Sequence, residues 1–203
     1  KNILTLFSGE FISRAINFVS FAYLARVLDV NEFGVFGFGI AVLGFLGNFI
    51  IFGFDRISLR DLALNNNLVN KYSNNILAVR LIIAIVLFCA FLIAIIILNN
   101  NNSSILIVLL FGLIFQAVSL SFIFRAVEQF KIISKTQIVT SVITVVLYIV
   151  FVRQQEDTIY AACIYSANSF ISVIILFNIY VKQFGKIKLS IEKIFTKYLV
   201  KES

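Results

Sequence analysis

The chain has 203 residues, 61% of them hydrophobic and 13% charged, with a formal net charge of +7 and a mean hydropathy of +1.02. A soluble domain is ~45–50% apolar and ~25% charged, so this composition excludes one and places the chain in a bilayer. At ~20 residues per crossing the length holds about six spans and no large soluble catalytic domain, and the absence of His excludes imidazole chemistry.

In chain order, apolar windows of spanning length run from Phe11 to Leu28, Phe33 to Phe54, Ile76 to Leu98, Ile105 to Phe124, Ile132 to Val152 and Ile159 to Val181. Membrane strands would need ~10-residue segments alternating apolar and polar residues, whereas Leu81 to Leu98 is apolar on every side. The expectation is an all-α integral membrane protein, a six-helix bundle over residues 1–182. Arg14 interrupts the core of the first window and Arg26 lies near its end, so that span is no cleavable signal.

The first helix carries a polar face. Glu10, Arg14 and Asn17 lie within ~40° of one direction at 100° per residue, with Ser13 and Ser20 on the flank. An ionised group at mid-membrane costs at least ~2.5–3.5 kcal/mol, so Arg14 needs a partner or water. Two readings follow: a structural pair with Glu10, or a cation on a path for an anionic substrate, for which the planar multi-donor guanidinium suits phosphate.

The second helix is glycine-rich. Gly34, Gly37, Ala41, Gly44 and Asn48 share one face, which predicts close helix packing, with a cavity wall as the alternative. The third helix has nothing more polar than Cys89 over Leu81 to Leu98 and belongs at the periphery. The fourth is nearly as plain, with Gln116 and Ser119 as its main polar positions. In the fifth, Gln137, Ser141, Thr144 and Tyr148 share a face, with Thr136 and Thr140 beside it; the sixth repeats this with Tyr165, Asn168, Ser169 and Ser172. Such stripes suit a hydrated cavity for hydroxyl-rich groups or interhelical hydrogen bonding; several together favour the cavity. After the sixth span, Ile187, Ile191, Ile194 and Tyr198 would share a helical face away from Lys186, Lys188, Lys193 and Lys197. Residues 183–203 therefore read as a basic amphipathic linker on the inner membrane surface. The absence of Met, the start at Lys1 and the charged run Lys197 to Ser203 lead us to expect a piece of a longer protein.

Of the 17 Lys and Arg residues, all but Arg14, Arg26 and Arg153 fall on one side of these spans. The positive-inside rule then places both ends in the cytoplasm, with outer turns at Asp29 to Glu32, Asn99 to Ser104 and Arg153 to Asp157. The net charge is thus topological, and a nucleic-acid partner is not expected. Cys89 and Cys163 lie in different spans without metal-ligand or disulfide spacing and read as buried apolar filler. No phosphate loop, nucleophile elbow or zinc motif occurs, and the acidic pairs Asp29/Glu32 and Glu156/Asp157 read as loop charge. Neither an enzyme nor a metal or other cofactor is expected.

The run Ala25-Arg26-Val27-Leu28-Asp29-Val30-Asn31-Glu32-Phe33-Gly34-Val35-Phe36-Gly37 resembles the first-loop motif of polysaccharide flippases, of the type A-R-x-L-G-x-x-x-F/Y-G-x-F/Y. It departs at Asp29, where that family usually has Gly, and at Asn31, where Pro is common. Gly53-Phe54-Asp55-Arg56 through Leu59-Arg60-Asp61 is similar to the family's signature after its second helix. Phe124-Arg125-Ala126-Val127-Glu128-Gln129-Phe130 is similar to the link after its fourth, and Lys197 to Ser203 to the lead-in to its seventh. The resemblance spans the chain. It implies the N-terminal lobe of a two-lobe alternating-access transporter of the multidrug/oligosaccharidyl-lipid/polysaccharide exporter superfamily, in a bacterial-type inner membrane. Its implied substrate is a polyprenyl-diphosphate-linked oligosaccharide moved from the inner to the outer leaflet.

On that reading Arg14 meets diphosphate, the fifth- and sixth-helix stripes meet sugar hydroxyls, and Arg56, Arg60 and Arg125 receive the headgroup or merely fix topology. The implied partners are membrane lipids, a C-terminal bundle of the same chain, and glycosyltransferases or a polymerase. A cation-coupled multidrug antiporter using Glu10 and a non-transporting scaffold of a glycan-assembly complex are the alternatives.

Overall fold

In the computed structural model, which describes residues 2–98 and 103–192, the chain folds into helices with no strand among the described residues. These are α1 (Asn2–Val27), α2 (Val30–Ile51), α3 (Phe54–Leu64), α4 (Val69–Leu98, entered through a single 3-10 turn at Asn66–Leu68), α5 (Ser103–Ala117), α6 (Ser121–Ala126), α7 (Phe130–Phe151) and α8 (Thr158–Phe184). Five stretches are long and apolar enough to cross a membrane: Val30–Ile51, Val69–Ile97, Ser103–Ala126, Phe130–Phe151 and Thr158–Phe184. The chain is a multi-pass membrane protein on that basis. The sixth expected span corresponds to α1, which has the length; the polar face of Glu10, Arg14 and Asn17 lowers its apolarity.

Two boundaries differ from expectation for a local reason. The fourth window breaks at Val118–Leu120 into α5 and α6, where Ser119 Oγ turns to Ser121 Oγ at 3.3 Å. After α2, Phe52 (φ 37°) and Gly53 (φ 74°) are both left-handed, a reversal that glycine adopts without steric penalty. It launches α3, a short helix with Phe54, Ile57 and Leu62 buried and Arg56 and Arg60 exposed.

Packing separates α1 from α2. α1 lies along α7, while α2 packs on α5, which also meets α4 and α8; α1 and α2 approach each other only sparsely. Gly9 permits the α1–α7 contact, because a Cβ there would overlap Ser134, and Gly39 does the same for Leu109. The glycine track was expected to pack and does not: nothing lies within 4 Å of where a Cβ would stand on Gly34, Gly37 or Gly44, and Ala41 and Asn48 are exposed on the same face. The glycines that do pack, Gly39 and Gly47, lie off this track, Gly39 opposite it and Gly47 on its flank. Helix α4 is peripheral, as its uniform apolarity predicts, with the smallest buried share of the five spans. Cys89 and Cys163 are exposed rather than buried; an outer helix surface that faces hydrocarbon accepts a thiol as readily as a protein core does.

The two ends of the bundle differ in chemistry. At one end Asp29 caps α2 through Asn31 N–H at 3.0 Å with an ordinary φ of −62°, so the position does not need a glycine. Thr158 Oγ1 donates to Glu32, and Asp157 accepts from the backbone N–H groups of Arg153 and Gln154 at 2.9 and 2.8 Å. Asp29 thus caps a helix, while Glu32 ties the two turns of this end together and Asp157 braces its own turn locally. The other end gathers α3, α6, the start of α4 and the end of α8 around Phe54, Leu62, Ile76, Phe122, Phe124 and Tyr180, and it carries Arg56, Arg60, Lys71, Arg80, Arg125 and Lys182.

At this basic end the chain after α8 is not the helix expected. Residues 185–192 are non-helical and bind the start of α4: Lys188 N–H donates to Asn74 Oδ1 at 3.0 Å and Glu192 N–H to Asn75 Oδ1 at 2.8 Å. Lys71 Nζ pairs with Glu192 at 2.8 Å, and Asn70 Nδ2 donates to the Phe184 carbonyl at 2.9 Å. Gly185, left-handed at φ 89°, ends α8, and asparagine amides satisfy main-chain groups that a helix would pair internally. Ile194, Tyr198, Lys193, Lys197 and the Lys197–Ser203 run lie outside the described residues, as do residues 99–102 of the expected Asn99–Ser104 turn.

Candidate functional site

A cavity of about 500 Å³ opens between α1, α2, α5, α7 and α8. Its lining residues lie along the middle of these helices and toward the basic end, and toward the opposite end it is closed by the core around Leu24, Phe36, Leu109 and Tyr148. The sparse α1–α2 contact leaves its wall open on that side.

The polar face of α1 enters this space with Glu10, Ser13, Arg14 and Asn17. Ser13 is satisfied internally by the Gly9 carbonyl at 2.9 Å. Arg14 Nη2 stands 3.9 Å from Glu10 Oε2, and the arginine side chain is 82% exposed against 29% for the glutamate. At that distance and exposure the pair is weak, so Arg14 retains most of its donors for another anion.

Opposite α1, Gln137 and Ser141 of α7 and Tyr165, Asn168 and Ser172 of α8 line the cavity, so the two stripes converge as their faces predict. Gln137 Oε1 and Asn168 Oδ1 are buried acceptors without a protein partner. An unsatisfied buried carbonyl costs ~1–3 kcal/mol, so both call for a hydrogen-bond donor from whatever fills the site.

Three residues of the expected set lie elsewhere. Thr144 is buried and donates to the Thr140 carbonyl at 2.8 Å within its own helix. Tyr148 belongs to the closing core: the stripe continues past the cavity into packing. Asn48 is exposed on the open face of α2, one turn beyond Gly44, which does line the cavity. Of the three candidate headgroup arginines, Arg125 reaches the cavity and Arg56 and Arg60 do not; Arg60 pairs with its neighbour Asp61 at 2.9 Å.

Helix α5 contributes Gly112, Phe115, Gln116 and Ser119, although its sequence looked plain. Gln116 lies over Gly47, whose hypothetical Cβ would stand 2.5 Å from Nε2. The missing side chain of one helix thereby houses the amide of another. Isolated polar residues in an apolar helix were the available signal, since each needs a reason to be there. No cluster that could hold a metal occurs among the described residues.

A family model described as "Polysaccharide biosynthesis protein" matches residues 1–203. No curated protein and no solved structure matches the chain.

Proposed function

This chain belongs to the polysaccharide biosynthesis protein family, and from that premise we propose that it is a transporter rather than an enzyme. It flips a polyprenyl-diphosphate-linked oligosaccharide from the inner to the outer leaflet of a bacterial-type cell membrane, with its basic end in the cytoplasm. The observation that carries this reading is Arg14, a largely exposed guanidinium midway along α1 in a cavity whose polar lining is mostly hydroxyls and amides.

Each component of such a substrate has a complement. Guanidinium matches diphosphate oxygens in geometry and charge. Gln137 Oε1 and Asn168 Oδ1, both lacking donors, accept from sugar hydroxyls. The seam between α1 and α2 gives a lipid tail a lateral way out while its headgroup is inside. The uncovered Gly34–Gly37–Ala41–Gly44 face is smooth, which suits a second bundle, from the same chain, moving against it.

Translocation of lipid-linked sugar in proteoliposomes, measured with the full-length protein, tests the proposal. Arg14→Ala abolishes it and Arg14→Lys retains only part, because a point charge replaces the bidentate fork. Wild-type rates for both variants would refute a cationic path through this cavity.

A further inference from the structure

Asp55, at the start of α3, faces two arginines from different helices. Arg80 of α4 contacts Oδ1 through Nη2, and Arg125 of α6 stands 4.0 Å from Oδ2 through Nη1. The two cations are unlike. Arg80 has a side chain only 4% exposed and stacks over Phe122 with its guanidinium carbon 4.5 Å from the ring centroid. Arg125 is 36% exposed and lines the cavity. One carboxylate thus serves two cations, which leaves one positive charge uncompensated, and the accessible one is at the cavity's basic end.

Resting on the transport reading above, we infer that Arg125 is the entry site for a diphosphate group and that Arg80 and Asp55 are its positioning pair. The carboxylate holds Arg125 at the mouth at a distance where attraction is already weak. Arg80 makes the release of Arg125 inexpensive: when the guanidinium swings to an incoming diphosphate, Asp55 keeps its hydrogen-bonded partner and no carboxylate is stranded. Arg14, on α1, lines the same cavity, so an anion passes from one arginine to the other within it.

The fold places this trio by two backbone devices. The left-handed Phe52-Gly53 reversal sets the first turn of α3 beside α4. Past α6, left-handed Glu128 (φ 59°) lets Gln129 N–H reach back to the Phe124 carbonyl at 2.8 Å, a closure that ends the helix with Arg125 in its last turn.

The test is equilibrium binding of radiolabelled farnesyl diphosphate in mixed micelles, and of inorganic diphosphate in a parallel arm, to the full chain. Arg125→Gln weakens binding by about 10-fold, the loss of one charge-assisted contact, with an unchanged melting temperature since the residue is partly exposed. Arg125→Lys recovers part of it. Arg80→Met leaves Asp55 entirely to Arg125 and weakens binding, whereas Asp55→Asn frees Arg125 and tightens it. A pair that served structure alone would move both variants the same way, so weakening by both overturns the positioning role. Wild-type affinity in Arg125→Gln overturns the entry site; if Arg14→Ala alone abolishes binding, the transport reading stands without it. Failure of the wild-type chain to bind either probe removes both. Preference for farnesyl diphosphate assigns the group to a lipid and preference for inorganic diphosphate to a soluble compound, and the entry site holds in either case.

Discussion

Gly9 of α1 approaches Ser134 of α7 so closely that a Cβ on the glycine would overlap the serine side chain. This contact fixes the depth at which the polar face of α1 lies against α7, and therefore the width of the cavity between Arg14 and Gln137. Overpacking costs ~1–3 kcal/mol, so Gly9→Val lowers the thermal unfolding midpoint in detergent. Gly34→Ala, on the open face with nothing within 4 Å, leaves the midpoint unchanged or raises it through the ~1 kcal/mol helix preference of Ala. Equal losses at the two positions would show that the α1–α7 contact has no special role.

The Gly47–Gln116 contact bears on the cavity rather than on stability. A side chain at Gly47 meets the flexible end of Gln116 and displaces it into the cavity. On the proposed transport function, Gly47→Leu therefore reduces lipid-linked sugar translocation several-fold at a nearly unchanged melting temperature. Adding Gln116→Ala restores room and part of the rate. Absence of that rescue would mean that Gly47 acts through something other than the amide.

Asp157 offers a test of the loop opposite the basic end. Its carboxylate accepts two backbone N–H groups of the preceding loop, and each such hydrogen bond contributes ~0.5–1.5 kcal/mol. Asp157→Ala should lower the midpoint accordingly while Asp157→Asn, which retains an acceptor oxygen, should lose less. Glu156→Ala, at an exposed neighbouring position, should be neutral in the same melting assay.

The segment after α8 should be released when its asparagine partners are removed. Asn74→Ala with Asn75→Ala deletes the acceptors for Lys188 N–H and Glu192 N–H. Limited trypsin digestion then cleaves after Lys186 and Lys188 several-fold faster than in the wild-type chain. Unchanged kinetics would indicate that the segment is held by other contacts.

Much of the site was legible because membrane helices leave few polar positions to explain. Glu10, Arg14 and Asn17 fall on one face at helical spacing, as do Gln137 with Ser141 and Tyr165 with Asn168, and these faces converge. Thr144 and Tyr148 share the α7 stripe yet lie beyond the cavity, since periodicity gives an azimuth and not the depth at which a cavity ends. The glycine track misled in the same way: small residues permit close approach on whichever side a neighbour happens to stand. Gly39 and Gly47, off the track, are the ones with neighbours.

The sequence by itself determined the helical membrane fold, the order and approximate extent of its apolar helices, and the sidedness of its charge, because hydrocarbon imposes helix formation and near-exclusion of charge on each segment locally. Only the tertiary structure decided that α1 leans on α7 and leaves α2, that Gln116 belongs to the cavity, and that Asp55 is shared between a buried Arg80 and an accessible Arg125. Those relationships join residues as far apart in the chain as Asp55 and Arg125. They depend on where helices break, reverse and touch, which no periodicity within a single helix encodes.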